Sequence, residues 1–262
     1  MNPSRAVPIV TFALCAATAS VQAADRCVAK SGARTLPLVE LYTSEGCSSC
    51  PPADRWLAAS FPPGADAPGA ALAFHVDYWD RLGWPDRFAR ASWSERQQSI
   101  ANAARSAVVY TPQIVLQGRD AGAGRGADAL LDVSRSASMP ARATIELSVK
   151  IAARRVIVDA TAHVPAAAER AGSRLVIAYT DGGHRTDVRR GENAGVTLRH
   201  EHVVRTLVTS DAPDSKGALA LTTSLELPAD AGTHPRLVVF VERHAARDVL
   251  QTVVLPLDPC TR

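Results

Sequence analysis

Residues 39–54 read VELYTSEGCSSCPPAD, and this stretch decides the fold that the sequence predicts. The apolar residues up to Tyr42 are typical of a buried strand, while the prolines after Cys50 suit the first turn of a helix, where no backbone N–H is needed. Cys47 and Cys50 lie in the short polar loop between these elements. A dithiol at such a strand-to-helix junction indicates redox chemistry.

The spacing of Cys47 and Cys50 suits reversible thiol–disulfide exchange. The thiolate is the attacking species, and the free N–H groups at a helix N-terminus lower the pKa of a nearby cysteine. We therefore expect Cys47 to attack and Cys50, three residues later, to resolve the mixed disulfide. The pattern leaves two alternatives open: a static disulfide, or part of a metal site that includes His75.

The chain continues as a helix over about 51–60, a strand over 70–76 and a third strand over 113–117. Tyr78, Trp79 and Trp84 follow the second strand, at the end of the sheet where α/β proteins bind ligands. They predict an apolar platform for a partner peptide, and core packing under a long loop is the alternative.

Thr111 and Pro112 precede the third strand. The cis isomer of an X–Pro bond costs little, and it leaves the preceding backbone groups free to pair with an extended substrate. Pro112 occupies a place that resembles that of the cis-proline of thioredoxin-fold proteins, and this resemblance implies a cis bond, with Pro112 beside the dithiol and Thr111 in contact with substrate. A trans proline at the start of an edge strand is the alternative.

The sequence also predicts the surroundings of other polar residues. Glu40 lies in the strand before the dithiol, and we interpret it as a paired structural carboxylate rather than a proton-transfer group. His200 and His202 alternate among charged residues, which favours a solvated strand face.

From about residue 141 alternating apolar and polar runs separated by turns predict an antiparallel sandwich.

The N-terminal residues resemble a secretion signal. An apolar stretch over 7–19 follows a lone Arg5 and precedes the small residues that signal peptidase reads. We expect residues 1–23 to be a signal peptide, because the run is too short and too interrupted for a transmembrane helix. The mature protein is then periplasmic or secreted, with no membrane span after cleavage.

Removal of that segment leaves four cysteines, which allow three pairings. The adjacent Cys47 and Cys50 are expected to pair with each other. Cys27 and Cys260 are then left to form a structural disulfide in an oxidising compartment.

The amino-acid composition limits the classes of partner that the protein is expected to bind. The chain has 29 Lys and Arg against 26 Asp and Glu, a formal net charge of +3, which predicts no nucleic-acid footprint. We expect no cofactor and no metal, and partners that are protein thiols or disulfides. The sequence does not indicate an oligomeric state.

Several separate motifs resemble those of a bacterial secreted family, domain-of-unknown-function family 1223. The motifs lie at 39–54, 74–80, 82–84, 96–97, 109–113 and 190–195. This family is regarded as thioredoxin-like, so the resemblance implies an α/β thioredoxin-like N-terminal domain over 24–140. The expected mostly antiparallel β-sandwich-like C-terminal domain covers 141–262.

The resemblance implies a dithiol site and supplies no settled activity. Our preferred hypothesis is a secreted or periplasmic thiol–disulfide oxidoreductase. The alternatives are a non-catalytic binding or assembly protein with a structural Cys47–Cys50 disulfide and, third, a metallochaperone.

Overall fold

The structure, a computed structural model, describes residues 27–63, 67–122, 126–246 and 248–261. The predicted signal peptide lies outside these residues. The described residues form four α-helices: α1 (Pro51–Ser60), α2 (Ala91–Ala103), α3 (Gly126–Ser138) and the single turn α4 (Ala167–Arg170). The strands are β1 (Cys27–Lys30), β2 (Leu38–Thr43), β3 (Ala70–His75), β4 (Gln113–Leu116), β5 (Arg119–Asp120), β6 (Thr144–Ala152), β7 (Arg155–His163), β8 (Ser173–Gly182), β9 (His184–Asp187), β10 (Thr197–His200), β11 (Val203–Thr209), β12 (Ala218–Glu226), β13 (Thr233–Arg243) and β14 (Asp248–Pro256).

An eight-stranded sheet forms the centre of the molecule, in the order β14-β13-β8-β11-β3-β2-β4-β5. β3 is parallel to β2 on one side and to β11 on the other, and the remaining pairs are antiparallel. The junction between the two halves of the chain is the pairing of Val203 in β11 with Ala73 in β3. Strands from both halves therefore share one hydrogen-bonded sheet.

This sheet shows that the predicted fold class is wrong. An α/β thioredoxin-like N-terminal domain followed by a separate β-sandwich-like domain would leave the two sets of strands in different sheets, whereas here β11 continues the sheet at the edge of β3. The chain is also richer in strand than expected, with 43% strand and 21% helix. An unpaired edge exposes backbone N–H and C=O groups, and β11 satisfies those of β3. The boundary between residues 140 and 141 stays a prediction.

A second sheet contains four antiparallel strands in the order β1-β6-β7-β12. Its apolar face, including Ile145 and Val158, packs against Leu175 and Ile177 of β8. β1 comes from the start of the described chain, so this sheet also combines residues from both halves. The Cys27–Cys260 disulfide joins the start of β1 to the C-terminal turn beside this core.

The central sheet has apolar residues on both faces where β2 crosses it. Leu38 and Tyr42 pack with Trp93 of α2, whereas Val39 and Leu41 pack with α1 and α3. All six residues of β2 are buried, as expected of a strand covered on both faces. No helix within the described ranges is long and apolar enough to cross a membrane.

The parallel strands β2 and β3 end at the same edge of the sheet, at Thr43 and His75. The dithiol loop follows β2 at this edge. The short ribbon of β9 and β10 lies between β8 and β11 in the chain, and its last residue, His200, contacts Glu45 just after β2. The C-terminal half of the chain therefore contributes side chains next to the dithiol.

Candidate functional site

Cys47 and Cys50 form a disulfide at the N-terminus of α1. The Cys50 carbonyl accepts the first helical hydrogen bonds, from the N–H of Ala53 at 2.9 Å and of Asp54 at 3.1 Å. The helix therefore begins directly after the second cysteine, as the two prolines predict. Ser48 and Ser49 are exposed, but both cysteines are fully buried.

A loop from the C-terminal half covers the disulfide. This loop, the cover loop, consists of residues 189–195 and connects β9 to β10. The side-chain amide of Asn193 donates to the carbonyls of Glu45 at 2.8 Å and Cys47 at 3.0 Å, and the Glu192 carboxylate accepts the N–H of Ser48 at 3.1 Å. Asn193 is itself buried, so these contacts fix the cover loop onto the dithiol loop.

Thr111 approaches the dithiol loop from another side. Its carbonyl accepts a 3.5 Å hydrogen bond from the Ser49 hydroxyl, and its own hydroxyl accepts one from the indole N–H of Trp79 at 2.8 Å. The Thr111–Pro112 bond is cis. The structure thus places the carbonyl of Thr111, the residue before the cis proline, against Ser49 of the dithiol loop.

The three aromatic residues predicted to form a platform are held by separate partners. Trp79 lies against Gly46, where a Cβ atom would come within 3.1 Å of the Trp79 Cβ. The Trp84 indole donates to Glu45 at 2.8 Å, and the Tyr78 hydroxyl donates to Gln97 of α2 at 3.1 Å. Trp79 and Trp84 therefore border the dithiol loop, whereas Tyr78 is directed towards α2.

A cluster of charged and titratable side chains lies beside the dithiol. This buried polar cluster consists of Glu45, Asp54, His75, Asp86 and His200. The imidazole of His75 pairs through Nδ1 with Asp86 at 2.6 Å, and His200 pairs through Nε2 with Glu45 at 3.1 Å. The two imidazole rings are 4.9 Å apart, in an edge-to-face arrangement.

Burial and pairing shift the pKa values of the cluster in different directions. Burial works against the charged forms of His75 and Asp86, but their mutual attraction outweighs it, so the pKa of His75 is raised and that of Asp86 is lowered. Burial also opposes ionisation of Glu45, yet the hydrogen bond from His200 leaves its pKa lowered. Asp54 differs: burial raises its pKa, and the nearby His200 and His75 offset this only in part.

Two buried ring nitrogens of this region have no hydrogen-bond partner among the described residues. They are His75 Nε2 and His200 Nδ1. The charges of both histidines act on Asp54, whose carboxylate is also hydrogen-bonded to Thr43. Because each imidazole uses one nitrogen for its carboxylate, the other nitrogen is left to accept or release a proton. The cluster can therefore act as a local proton store for the dithiol.

The described residues contain no group of three or more His, Cys, Asp or Glu side chains arranged to hold a metal ion. His75, the histidine considered for such a site, is paired with Asp86 instead.

The comparisons with known proteins place the chain in a family. The sequence profile described as "Protein of unknown function (DUF1223)" matches residues 38–242. This chain belongs to the DUF1223 family. The match covers the dithiol loop, the cover loop and every residue of the buried polar cluster. A search of the curated proteins finds no match for this DUF1223 member.

Two solved structures are similar to this DUF1223 protein. Protein AGR_C_4864 from Agrobacterium tumefaciens is 27% identical, with 85% of this chain and 95% of that chain covered and a TM-score of 0.58. HBP35 of Porphyromonas gingivalis is 13% identical, with 87% of this chain and 77% of that chain covered and a TM-score of 0.62. The second similarity concerns the fold alone.

Sequence reasoning missed most of the DUF1223 site. The prediction that His200 and His202 lie on a solvated face is wrong, since their exposed fractions are 3% and 1%. Asp54 was visible in the first turn of α1, but its proximity to two histidines was not. The motif at 190–195 was the one available signal for the cover loop.

The remaining predicted residues have structural roles. Cys27 and Cys260 form the second disulfide, away from the dithiol loop, beside the four-stranded sheet. Glu40 is buried in a salt bridge with Arg96 and accepts a hydrogen bond from the Tyr42 hydroxyl at 2.9 Å, as expected of a structural carboxylate.

Proposed function

We propose that this protein is a periplasmic or secreted thiol–disulfide oxidoreductase whose active bond is Cys47–Cys50. The observation that carries the proposal is the position of this disulfide at the N-terminus of α1, with Thr111 and a cluster of titratable side chains beside it. A helix N-terminus stabilises the thiolate, and the titratable groups supply and accept its proton. A disulfide that only restrains the chain requires neither feature.

The exchange follows two steps. In the reduced protein the Cys47 thiolate attacks a substrate disulfide, a Cys47–substrate bond forms, and one substrate sulfur leaves and takes up a proton. Cys50 then loses its proton, attacks the Cys47 sulfur and releases the second substrate thiol. The substrate gains two electrons and two protons, and the Cys47–Cys50 bond forms again. The reverse steps oxidise a substrate dithiol.

Asp54 supports this sequence as the acceptor of the Cys50 proton. It lies one helical turn after Cys50, and the burial that raises its pKa makes it a stronger base than an exposed aspartate. The free nitrogens of His75 and His200 next to Asp54 can carry the proton onwards. We assign Cys47 as nucleophile, Cys50 as resolving residue and Asp54 as general base.

Substrate access requires a local rearrangement, because both cysteines are fully buried. Three hydrogen bonds hold the cover loop on the dithiol loop: Asn193 donates two, and the Glu192 carboxylate accepts one from the Ser48 N–H. An extended substrate segment that displaces this loop would meet the exposed Ser48 and Ser49 and the Thr111 backbone. Movement of the cover loop is therefore part of the proposed reaction.

Two measurements on the purified mature protein test this function. A redox titration should give a reduction potential well above about −300 mV, the limit below which disulfides are typically structural. A Cys50→Ala variant should form a mixed disulfide through Cys47 with a small disulfide such as oxidised glutathione, and a Cys47→Ala/Cys50→Ala variant should form none. A lower potential together with no adduct would refute the proposal.

The second candidate is a non-catalytic binding or assembly protein in which the disulfide is structural. Its specific support is the complete burial of both cysteines under a loop that is hydrogen-bonded in place. The redox titration separates the two functions, since this candidate requires the lower potential.

A further inference from the structure

A second site lies at the opposite end of β2 and β3 from the dithiol. A cavity of about 670 Å³ opens there, lined by Leu36 before β2, by Ala70 at the start of β3, and by residues of β13 and β14. This volume is within the range of small-molecule binding sites. The dithiol lies beyond Thr43, at the other end of β2, so the cavity is separate from the proposed redox site.

Apolar side chains form much of the cavity wall. Leu36, Phe61, Val238 and Val254 all line it, and Phe61 and Val238 are almost completely buried in the protein core. Such walls favour a ligand with an apolar body, because its burial removes apolar surface from water.

The cavity also holds a guanidinium group without a carboxylate partner. Arg236 is half-buried, and within the described ranges no carboxylate lies within 4.0 Å of it. Its hydrogen-bonding neighbours are the His234 carbonyl and the imidazole of His202, each at 3.4 Å. Burial lowers the pKa of Arg236, and Glu201 and Asp258 offset this only in part. A bound anion would restore the missing partner.

His202 adds a buried hydrogen-bond donor. Burial and the charge of Arg236 lower the pKa of His202 to about 3, so its ring is neutral. Arg236 can only donate, and it faces Nδ1, so the ring proton lies on Nε2. The Phe61 carbonyl is near the ring, but Nε2 has no hydrogen-bond partner among the described residues. The hydroxyl of Thr252, which also lines the cavity, likewise has none.

We propose that this cavity binds a small organic carboxylate with an apolar chain. The carboxylate pairs with Arg236, beside the buried His202 ring and the Thr252 side chain. The chain of the ligand lies against Leu36, Phe61 and Val254. A single negative charge fits better than a phosphate dianion, because Asp258 also lines the cavity.

Other cations at this cavity have partners already. Lys30 pairs with Glu146 at 2.6 Å, and the exposed Arg34 donates to the Ser138 carbonyl. Arg34 therefore offers a matched control for Arg236, since both arginines line the same cavity. Arg34 is exposed, whereas Arg236 is half-buried and has no carboxylate partner among the described residues.

Isothermal titration calorimetry with sodium octanoate as the probe tests the proposal on the complete mature protein. Octanoate should bind to the wild-type protein at one site. The Arg236→Met substitution should weaken the affinity for octanoate by about tenfold or more, as expected for loss of a buried charge partner. The Arg34→Met substitution should leave this affinity unchanged. Octanol, which lacks the charge, and inorganic phosphate, which lacks the chain, should each bind at least about tenfold more weakly than octanoate.

Each other outcome overturns the proposal. Absence of octanoate binding to the folded wild-type protein refutes the site, and equal binding by wild type and Arg236→Met refutes the role of the guanidinium. Equal affinity for octanol identifies an unspecific apolar cavity, and equal affinity for phosphate identifies a simple oxyanion site. If Arg236→Met does not fold by circular dichroism, Arg236→Lys replaces it and should weaken binding while retaining the preference for octanoate over octanol.

Discussion

The side-chain amide of Asn193 donates a 3.0 Å hydrogen bond to the carbonyl of Cys47, a residue 146 positions earlier in the chain. The same amide donates to the Glu45 carbonyl at 2.8 Å. Both cysteines of the dithiol are fully buried, and Asn193 is 5% exposed. One side chain of the C-terminal half thus fixes the backbone on which the proposed nucleophile is placed.

Replacement of Asn193 by Ala should make the disulfide easier to reduce. The change leaves two carbonyls without their donor, so we expect a loss of about 1–3 kcal/mol in the free energy of unfolding and a faster reaction of Cys47–Cys50 with dithiothreitol. Glu192→Ala is the control, because its contact with Ser48 is exposed and should contribute little to stability. Equal reduction rates for wild type and Asn193→Ala would show that this hydrogen bond does not limit access.

The Asp54→Asn variant should react more slowly without losing stability. Burial raises the pKa of Asp54, so a neutral amide fits the same position, but it cannot exchange a proton with Cys50. We expect disulfide exchange to slow by about 100-fold, within the range for loss of a general acid or base. Stopped-flow kinetics across pH should also lose the inflection that titration of Asp54 produces. An unchanged rate and pH profile would assign Asp54 a purely structural role.

The His75–Asp86 pair should make stability depend on pH. Burial lowers the pKa of His75, but the Asp86 charge outweighs this, so folded His75 holds its proton more tightly than an unfolded histidine, whose pKa is about 6.5. This contribution is fully present below the unfolded pKa and is lost as pH rises through the folded pKa. The difference in unfolding free energy between wild type and His75→Gln should therefore be larger at about pH 6 than at about pH 9. Urea titrations at both pH values measure it, and a difference that does not vary with pH would contradict the assignment.

Arg96 bridges two buried carboxylates. Its guanidinium contacts Glu40 at 2.9 and 3.1 Å and Glu242 at 2.7 and 3.0 Å. Arg96→Met removes the guanidinium that faces both buried carboxylates, and we expect it to lower the free energy of unfolding by about 3–5 kcal/mol. A triple variant with Glu40→Gln and Glu242→Gln should recover much of this loss, because the two negative charges that face the guanidinium are removed together with it. Chemical denaturation compares the three proteins.

The Cys27–Cys260 disulfide should stabilise the fold more than the short Cys47–Cys50 loop does. It closes a segment of 233 residues, for which chain-entropy estimates approach about 5 kcal/mol as an upper limit. We expect Cys27→Ala/Cys260→Ala to unfold at lower denaturant concentration under oxidising conditions. The difference from wild type should disappear when both proteins are fully reduced, and a persistent difference would point to packing at these positions instead.

Local features of the site could be predicted from the sequence. The prolines after Cys50 determine where α1 begins, and the apolar runs at β2 and β3 mark two buried strands. These features depend on neighbouring residues, so a single sequence contains their signals. The cis Thr111–Pro112 bond was instead implied by the resemblance to thioredoxin-fold proteins.

Non-local pairing could not be predicted in the same way. Nothing in the residues of β11 indicates that Val203 pairs with Ala73, and this one pairing replaces two expected sheets by a shared one. His200 looked solvated because its neighbours in sequence are charged, whereas its burial depends on Glu45, 155 residues earlier. Buried polar groups become tolerable only when such a partner is in place, and the sequence does not reveal the partner.

The origin of the cover loop determines when the disulfide becomes shielded. A ribosome synthesises the dithiol loop well over a hundred residues before Asn193, and domains form in that order during synthesis. Until the C-terminal half has been synthesised, no Asn193 side chain is present to bind the Cys47 carbonyl. Shielding of this bond is thus a property of the finished molecule.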